Sequence, residues 1–164
     1  MKNFKYTLLL IVTVIVFNSC KKDDPTESTE VDSFIMKIDG EEVVEGTTLI
    51  KEYNVVGEEG ELGFHITNQK DEPIILRATI SSNDVGANME FCFASCSANI
   101  NDGFTEVKTI PVGHTTTTAE THIFNNQDGS RDYECTVKIN EIDESGNNVA
   151  NGKALFFTYK YVAP

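Results

Sequence analysis

The chain has 164 residues, a formal net charge of −13 and four cysteines. This length is sufficient for one domain with a sizeable hydrophobic core. The negative charge would repel nucleic acid and anionic lipid headgroups, so we expect no nucleic-acid partner.

Residues 1–19 have the pattern of a secretory signal peptide. Lys2 and Lys5 make the start basic, residues 7–17 are mostly apolar, and the small residue Ser19 ends the segment. The apolar run is too short to span a bilayer stably, which is typical of a signal that is removed. Its removal takes away two positive charges and no negative one, so the net charge changes from −13 to −15.

Cys20 follows this segment directly, and the composition then becomes polar. The arrangement resembles bacterial lipoprotein signals, of the looser kind found in the Bacteroidota, because Phe17 stands where the common motif has leucine. The resemblance implies that Cys20 is diacylated, becomes the mature N-terminus and anchors the chain in the outer membrane. Lys22, Asp23 and Asp24 resemble the short acidic motif that sends such lipoproteins to the cell surface.

Residues 21–32 contain almost no apolar side chains and one proline. Such a segment buries too little surface to offset the entropy cost of ordering, so we expect a flexible tether. The predicted organisation is therefore a signal peptide (1–19), a lipidated N-terminus with an acidic tether (20–32) and a folded domain (33–164).

From Ser33 onward the sequence predicts β-strands. No stretch has a sustained 3.6-residue apolar period, and β-branched and aromatic residues dominate between turn signals such as Asp39-Gly40. Apolar and polar residues alternate most clearly in 74–81, 133–140 and 154–162. Further strands are expected over 34–38, 47–56, 62–68, 89–93, 105–110 and a threonine-rich stretch, 115–124.

Eight or nine such strands, with no room for crossover helices, predict an all-β fold of two packed antiparallel sheets. The pattern resembles immunoglobulin-like domains of secreted and surface bacterial proteins. It lacks the tryptophan core and the long-range cysteine pair of antibody domains. No internal repeat is visible, so one copy of the sandwich is expected.

Cys92 and Cys96 form the most distinctive motif of the domain. An extended strand would place their Cα atoms about 13 Å apart, whereas a disulfide requires roughly 4.4–6.8 Å. The small residues Ala94 and Ser95 permit the turn that would bring them together. Because the compartment implied by the signal is oxidising, we expect a disulfide that pins the end of a strand to its loop.

The alternative for this pair is a copper site. Two thiolates are soft ligands suited to Cu(I), and His65, His114 or His122 could supply a third ligand. A protein that handles metal in the cell envelope is therefore the second functional hypothesis.

The other candidate groups have simpler interpretations. Cys135 is in phase with the apolar side of its strand, so we expect a buried, inert thiol. His65 and His122 fall on polar strand faces, as surface residues do. Residues 141–146 resemble the start of an EF-hand calcium loop, but Gly152 stands where that loop requires a glutamate. Residues 126–129 do not match the loop pattern either. Calcium binding is therefore left only to an irregular site between strands.

The sequence contains no Gly-x-Ser-x-Gly motif, no His-Glu-x-x-His motif and no phosphate-binding loop. We expect no enzyme activity and no cofactor. The sequence predicts a surface-displayed, lipid-anchored module that binds an unidentified protein or glycan, with copper handling by Cys92 and Cys96 as the alternative.

Overall fold

The structure, a computed structural model, describes residues 32–52, 60–82, 89–98, 100–125 and 132–162. The predicted signal peptide and the residues Cys20, Lys22, Asp23 and Asp24 lie outside these ranges. Among the described residues, no helix has the length and apolar character needed to span a membrane. The described strands are β1 (Phe34–Ile38), β2 (Glu41–Glu42), β3 (Thr47–Glu52), β4 (Gly60–Gly63), β5 (His65–Asn68), β6 (Ile74–Ser82), β7 (Met89–Cys92), β8 (Cys96–Ala98), β9 (Thr105–Ile110), β10 (His122–Asn125), β11 (Tyr133–Ile142) and β12 (Ala154–Val162).

These strands form three sheets. A five-stranded sheet with the order β3-β12-β11-β6-β9 is one layer of the sandwich. A four-stranded sheet (β4-β10-β7-β8) and a three-stranded sheet (β2-β1-β5) form the other, and the chain passes between them at Phe64. The all-β fold predicted from the sequence is confirmed.

The alternation read from the sequence builds the core. In β6, Ile74, Leu76, Ala78 and Ile80 are buried, while the residues between them are partly accessible. The same holds for Tyr133 to Ile139 in β11 and for Leu155 to Tyr161 in β12. Because successive side chains of a strand point to opposite faces, each of these strands covers the core with one face only.

Aromatic side chains join the two layers. Phe64 is fully buried, and its ring lies 5.9 Å from that of Phe157 in the five-stranded sheet and 6.4 Å from that of Phe91 in β7. The ring of Phe93 stacks on Phe91 at 5.9 Å. Burying one such side chain stabilises a fold by roughly 1.5–3 kcal/mol, so this group is a main connection between the sheets.

The prediction that all pairing is antiparallel is wrong at one place. β3 pairs with β12 in parallel, with Thr47 opposite Phe157 and Val162 opposite Glu52. Strands joined by a tight hairpin run in opposite directions. More than 100 residues separate β3 from β12, so no hairpin constrains this pair. The direction of β3 is set by the connection from β2 into the five-stranded sheet. The N–H of Gly46 donates to the carbonyl of Phe156 (2.9 Å) at the start of this pairing.

The described strands also outnumber the eight or nine expected. The strand predicted over 62–68 is interrupted at Phe64, and β8 is an added short hairpin arm. β2 is the second arm of the hairpin that Asp39-Gly40 indicated. Of the strand predicted over 47–56, the structure describes Thr47–Glu52 as β3, and the rest lies outside the described residues.

The strand predicted over 115–124 begins only at His122. Residues 114–121 instead run beside β5 in an irregular path. The N–H of Thr116 donates to Ile66 O (2.9 Å), and the N–H of Ile66 donates to Thr116 Oγ1 (2.9 Å). The buried hydroxyl of Thr121 donates to the carbonyl of Phe64, at the interruption between β4 and β5. Threonine side chains thus replace the sheet hydrogen bonds that a regular strand would have made.

Candidate functional site

The Cys92–Cys96 disulfide closes the hairpin between β7 and β8. The two Cα atoms are 4.1 Å apart and directly opposite each other in the strand pairing. The N–H of Phe93 donates to the carbonyl of Ser95 (3.2 Å) within the turn. The disulfide predicted from the sequence is therefore present, and the chain turns where it was expected to.

A second contact holds the same turn from the neighbouring layer. The backbone N–H and the hydroxyl of Ser95 both donate to Glu106 Oε1, at 2.7 Å and 2.6 Å. Glu106 belongs to β9, the edge strand of the five-stranded sheet. The hairpin is thus fixed by a charge-assisted contact as well as by its disulfide.

The sheet brings two further side chains to this pair. His122 in β10 lies directly opposite Cys92, and Glu90 lies two residues before Cys92 on the same face of β7. The potential ligand atoms of Glu90, Cys92, Cys96 and His122 all lie within 4.8 Å of one another. We call this group the Cys-His cluster. Glu90 Oε1 is 3.5 Å from Cys92 Sγ.

Of the three histidines considered as a third copper ligand, the structure places only His122 in the Cys-His cluster. His65 faces the loop of residues 114–121, with Nδ1 2.7 Å from Thr116 O. His114 Nε2 is 3.7 Å from Glu120 Oε1. The pKa of the Glu120 carboxyl is lowered, mainly because the N–H of Thr117 donates to it.

The ring of His122 has a defined orientation. Its Nδ1 is 2.8 Å from the carbonyl oxygen of Thr118, which can only accept, so Nδ1 carries the proton. In the neutral ring the lone pair is then on Nε2, the arrangement typical of metal-binding histidines. Gly63, opposite His122 in β4, lets Thr118 approach, since a Cβ there would lie 2.6 Å from Thr118 Cγ2.

Cys135 has the surroundings expected of an inert thiol. It is 2% exposed among the core residues of β11, and it forms no disulfide. Burial raises its pKa from 9.0 to about 12. A thiol that stays protonated at physiological pH is a poor nucleophile and a poor metal ligand.

The loop that resembles the start of a calcium site uses its acidic groups internally. Asp143 Oδ1 accepts from the N–H of Asn147 (2.8 Å), and this bond lowers the pKa of the carboxyl. Glu141 is buried and pairs with Lys70 Nζ at 2.9 Å. The first contact shapes the turn between β11 and β12, and the second joins β11 to the loop between β5 and β6. The second loop considered, residues 126–129, lies outside the described residues.

A broad surface is formed by the outward side of the five-stranded sheet, which we call the outer face. Thr105, Thr79, Lys138 and Phe156 are register neighbours across four of its strands. At about 4.8 Å per strand, this row spans roughly 14 Å. Apolar groups are exposed on this face, with Ile50 at 57%, Val107 at 46% and Phe156 at 39%.

The sequence matches no protein-family model and no curated protein. Among solved structures, the N-terminal domain of PorA is similar, with a TM-score of 0.51 and 15% identity over 79% of this chain and 96% of that domain. PapD-like domain 7 of human CEP192 gives 0.42 and 10% identity, covering 79% and 84% of the two chains. The E. coli chaperone DraB gives 0.40 and 11%, covering 80% and 56%. At 15% identity, the likeness to the PorA domain shows the fold alone, an immunoglobulin-like β-sandwich.

Proposed function

We propose that the mature protein is a lipid-anchored, non-enzymatic module of the outer membrane, displayed at the cell surface to bind a protein or glycan partner. The anchor is inferred from the lipoprotein-like signal that ends at Cys20. The surface position is inferred from Lys22, Asp23 and Asp24. A folded domain that follows a polar tether suits presentation of a binding surface away from the membrane.

The observation that carries the interaction role is the outer face. Its threonines offer hydroxyl donors and acceptors, Lys138 and Lys160 offer positive charge, and Phe156 and Ile50 offer exposed apolar area. Lys160 also lies 3.6 Å from Glu134, so charges of both signs are present. A surface that mixes these groups can satisfy polar contacts while burying apolar atoms, as interfaces do.

Site-specific photocrosslinking on intact cells tests this role. A photoreactive amino acid at Lys138, in the centre of the outer face, should give a crosslinked product of discrete mass. The same substitution at Lys37 is the matched control, because Lys37 is an exposed strand lysine in the three-stranded sheet. Equal products at both positions, or none at Lys138, would show that the outer face is not the binding surface.

A further inference from the structure

The Cys-His cluster carries an inference that is independent of the interaction role. We propose that Glu90, Cys92, Cys96 and His122 form a zinc-binding site that becomes available when the Cys92–Cys96 disulfide is reduced. The disulfide state is then the closed form of the site, and the dithiol state is the open form.

The strand pairing fixes the ligands before any metal binds. Cys92 is opposite His122 on one side and opposite Cys96 on the other, so three ligand positions lie in one row across β10, β7 and β8. Glu90 comes from the same face of β7. In a tetrahedral zinc site, neighbouring ligand atoms are about 3.3–3.8 Å apart, and the four groups already lie within 4.8 Å of one another. Side-chain rotation can close that difference.

The hairpin does not depend on the disulfide alone. The two hydrogen bonds from Ser95 to Glu106 hold the turn between the cysteines, and β7 is paired along its length with β10. Reduction therefore leaves the two cysteines on opposite arms of a retained hairpin. This retained geometry keeps the entropy cost of assembling the ligands low.

The ligand types favour zinc over copper. Zn²⁺ is bound by thiolate, imidazole and carboxylate together, whereas Cu(I) prefers soft sulfur ligands, and Glu90 contributes a hard oxygen. The hydrogen bond from His122 Nδ1 to Thr118 O leaves Nε2 as the nitrogen with a lone pair. Cys96 is exposed while Cys92 is buried, so the ion can enter from the solvent side of Cys96.

The opening step is a thiol–disulfide exchange with an external dithiol. A thiolate of the dithiol attacks the sulfur of the exposed Cys96, the Cys92–Cys96 bond breaks, and Cys92 leaves as a thiolate that takes up a proton. The second thiol of the donor then attacks the mixed disulfide and releases Cys96. Two electrons pass from the dithiol, which becomes a disulfide, to the protein, which becomes a dithiol. Zinc binding then displaces the two thiol protons.

The test is a metal titration of the purified chain in a Cys20→Ala background, so that Cys20 contributes no thiolate. After anaerobic reduction with a dithiol and removal of the reductant, Zn²⁺ is titrated in competition with a chromophoric chelator. One equivalent should bind to the reduced protein and none to the oxidised protein. Co²⁺ in place of Zn²⁺ should give thiolate charge-transfer bands and the strong visible bands of a tetrahedral site.

Variants that keep both cysteines identify the other ligands. His122→Ala and Glu90→Gln should each weaken Zn²⁺ binding at least about tenfold, a scale at which even outer-shell partners act. The matched control is His65→Ala, which removes a ring with a similar carbonyl contact outside the Cys-His cluster and should leave binding unchanged.

Several outcomes would overturn the proposal. Equal binding by the oxidised protein, or full binding by His122→Ala, would show that the cluster is not the site. Stoichiometric Cu(I) binding without Zn²⁺ binding would show a copper site. Loss of the β-sheet circular dichroism signal on reduction would show that the disulfide, and not the Ser95–Glu106 contact, holds the hairpin.

Discussion

At the scale of single residues, position in a strand decides what each cysteine can do. Cys92 and Cys96 end and begin two paired strands, so their sulfurs meet across the hairpin, with Cys92 buried and Cys96 exposed. Cys135 points into the core from the middle of β11, where burial raises its pKa to about 12. The same side chain is therefore a cross-link at one position and a small apolar core group at another.

Alkylation should report this difference. In the Cys20→Ala variant under native conditions, a thiol reagent should label none of Cys92, Cys96 and Cys135, and after unfolding without reductant it should label Cys135 alone. Cys135→Ser should destabilise the fold by about 1 kcal/mol, at the low end of the cost of burying a hydroxyl, because the Tyr133 side chain that hydrogen-bonds the thiol is a partner for the serine. Thr136→Ser is the control, because Thr136 lies on the outer face of the same strand.

Peptide mapping provides the check on this assignment. A peptide that pairs Cys135 with Cys92 or Cys96 would contradict it. Native labelling of Cys135 would show that β11 opens readily. Similar denaturation midpoints for Cys135→Ser and Thr136→Ser would likewise contradict a buried, tightly packed Cys135.

At the scale of structural elements, residues 114–121 form an irregular segment beside β5 in place of the predicted strand. Thr121 is fully buried, and its hydroxyl donates to the carbonyl of Phe64. The N–H of Phe64 in turn donates to Thr121 O at 3.0 Å. This exchange supports the chain where β4 ends and β5 begins, and it keeps the Phe64 ring between the two layers.

Thr121→Val should therefore be costly although it conserves shape. The substitution leaves a buried carbonyl without its hydroxyl donor, and the expected loss in the free energy of unfolding is about 1–3 kcal/mol. Thr115→Val is the matched control, since the Thr115 side chain is exposed and should have an effect within about 0.5 kcal/mol. Urea denaturation of both variants measures the difference. Equal midpoints would show that the Thr121 hydroxyl has no special role.

The elements that could be predicted are those in which one strand face is buried. In β6, β11 and β12 the two-residue period marks the core side directly, so the inward residues were identified from the sequence. The path of residues 114–121 could not be predicted, because threonine favours strands in general and its hydroxyl bonds depend on a neighbour 50 residues away.

The Cys-His cluster illustrates the same limit at a site. The nearness of Cys92 and Cys96 follows from four residues of chain, so the disulfide was predictable. The choice of His122 over the other histidines depends on the register between β7 and β10, which the strand patterns do not define. Glu90 was missed, although its spacing of two residues from Cys92 already placed both on one strand face.

At the scale of the whole molecule, the proposed tether and lipid anchor would decide where the outer face can act. Alanine at Lys22, Asp23 and Asp24 together should preserve membrane attachment but abolish digestion by protease added to intact cells. Alanine at residues 27–29 is the control, because it changes the same number of tether residues and should leave digestion unchanged. Western blots of shaved and fractionated cells measure both properties.

The matching variant for attachment is Cys20→Ala. This variant should be absent from the membrane fraction, because it carries no acyl chain. Each methylene of such a chain contributes about 0.8 kcal/mol to anchoring. Continued membrane association of Cys20→Ala would contradict the lipid anchor. Equal digestion of wild type and the triple variant would show that residues 22–24 act only as spacer.

The parallel pairing of β3 with β12 has a consequence for the order in which the sheet can be completed. β12 lies between β3 and β11, so the five-stranded sheet cannot be completed until residues 154–162 are available to pair. Contacts between distant parts of a sequence form slowly, and here the strand that joins β3 to the rest of the sheet is the last described strand of the chain. The exported protein proposed above would therefore pass a translocation channel before this sheet is complete.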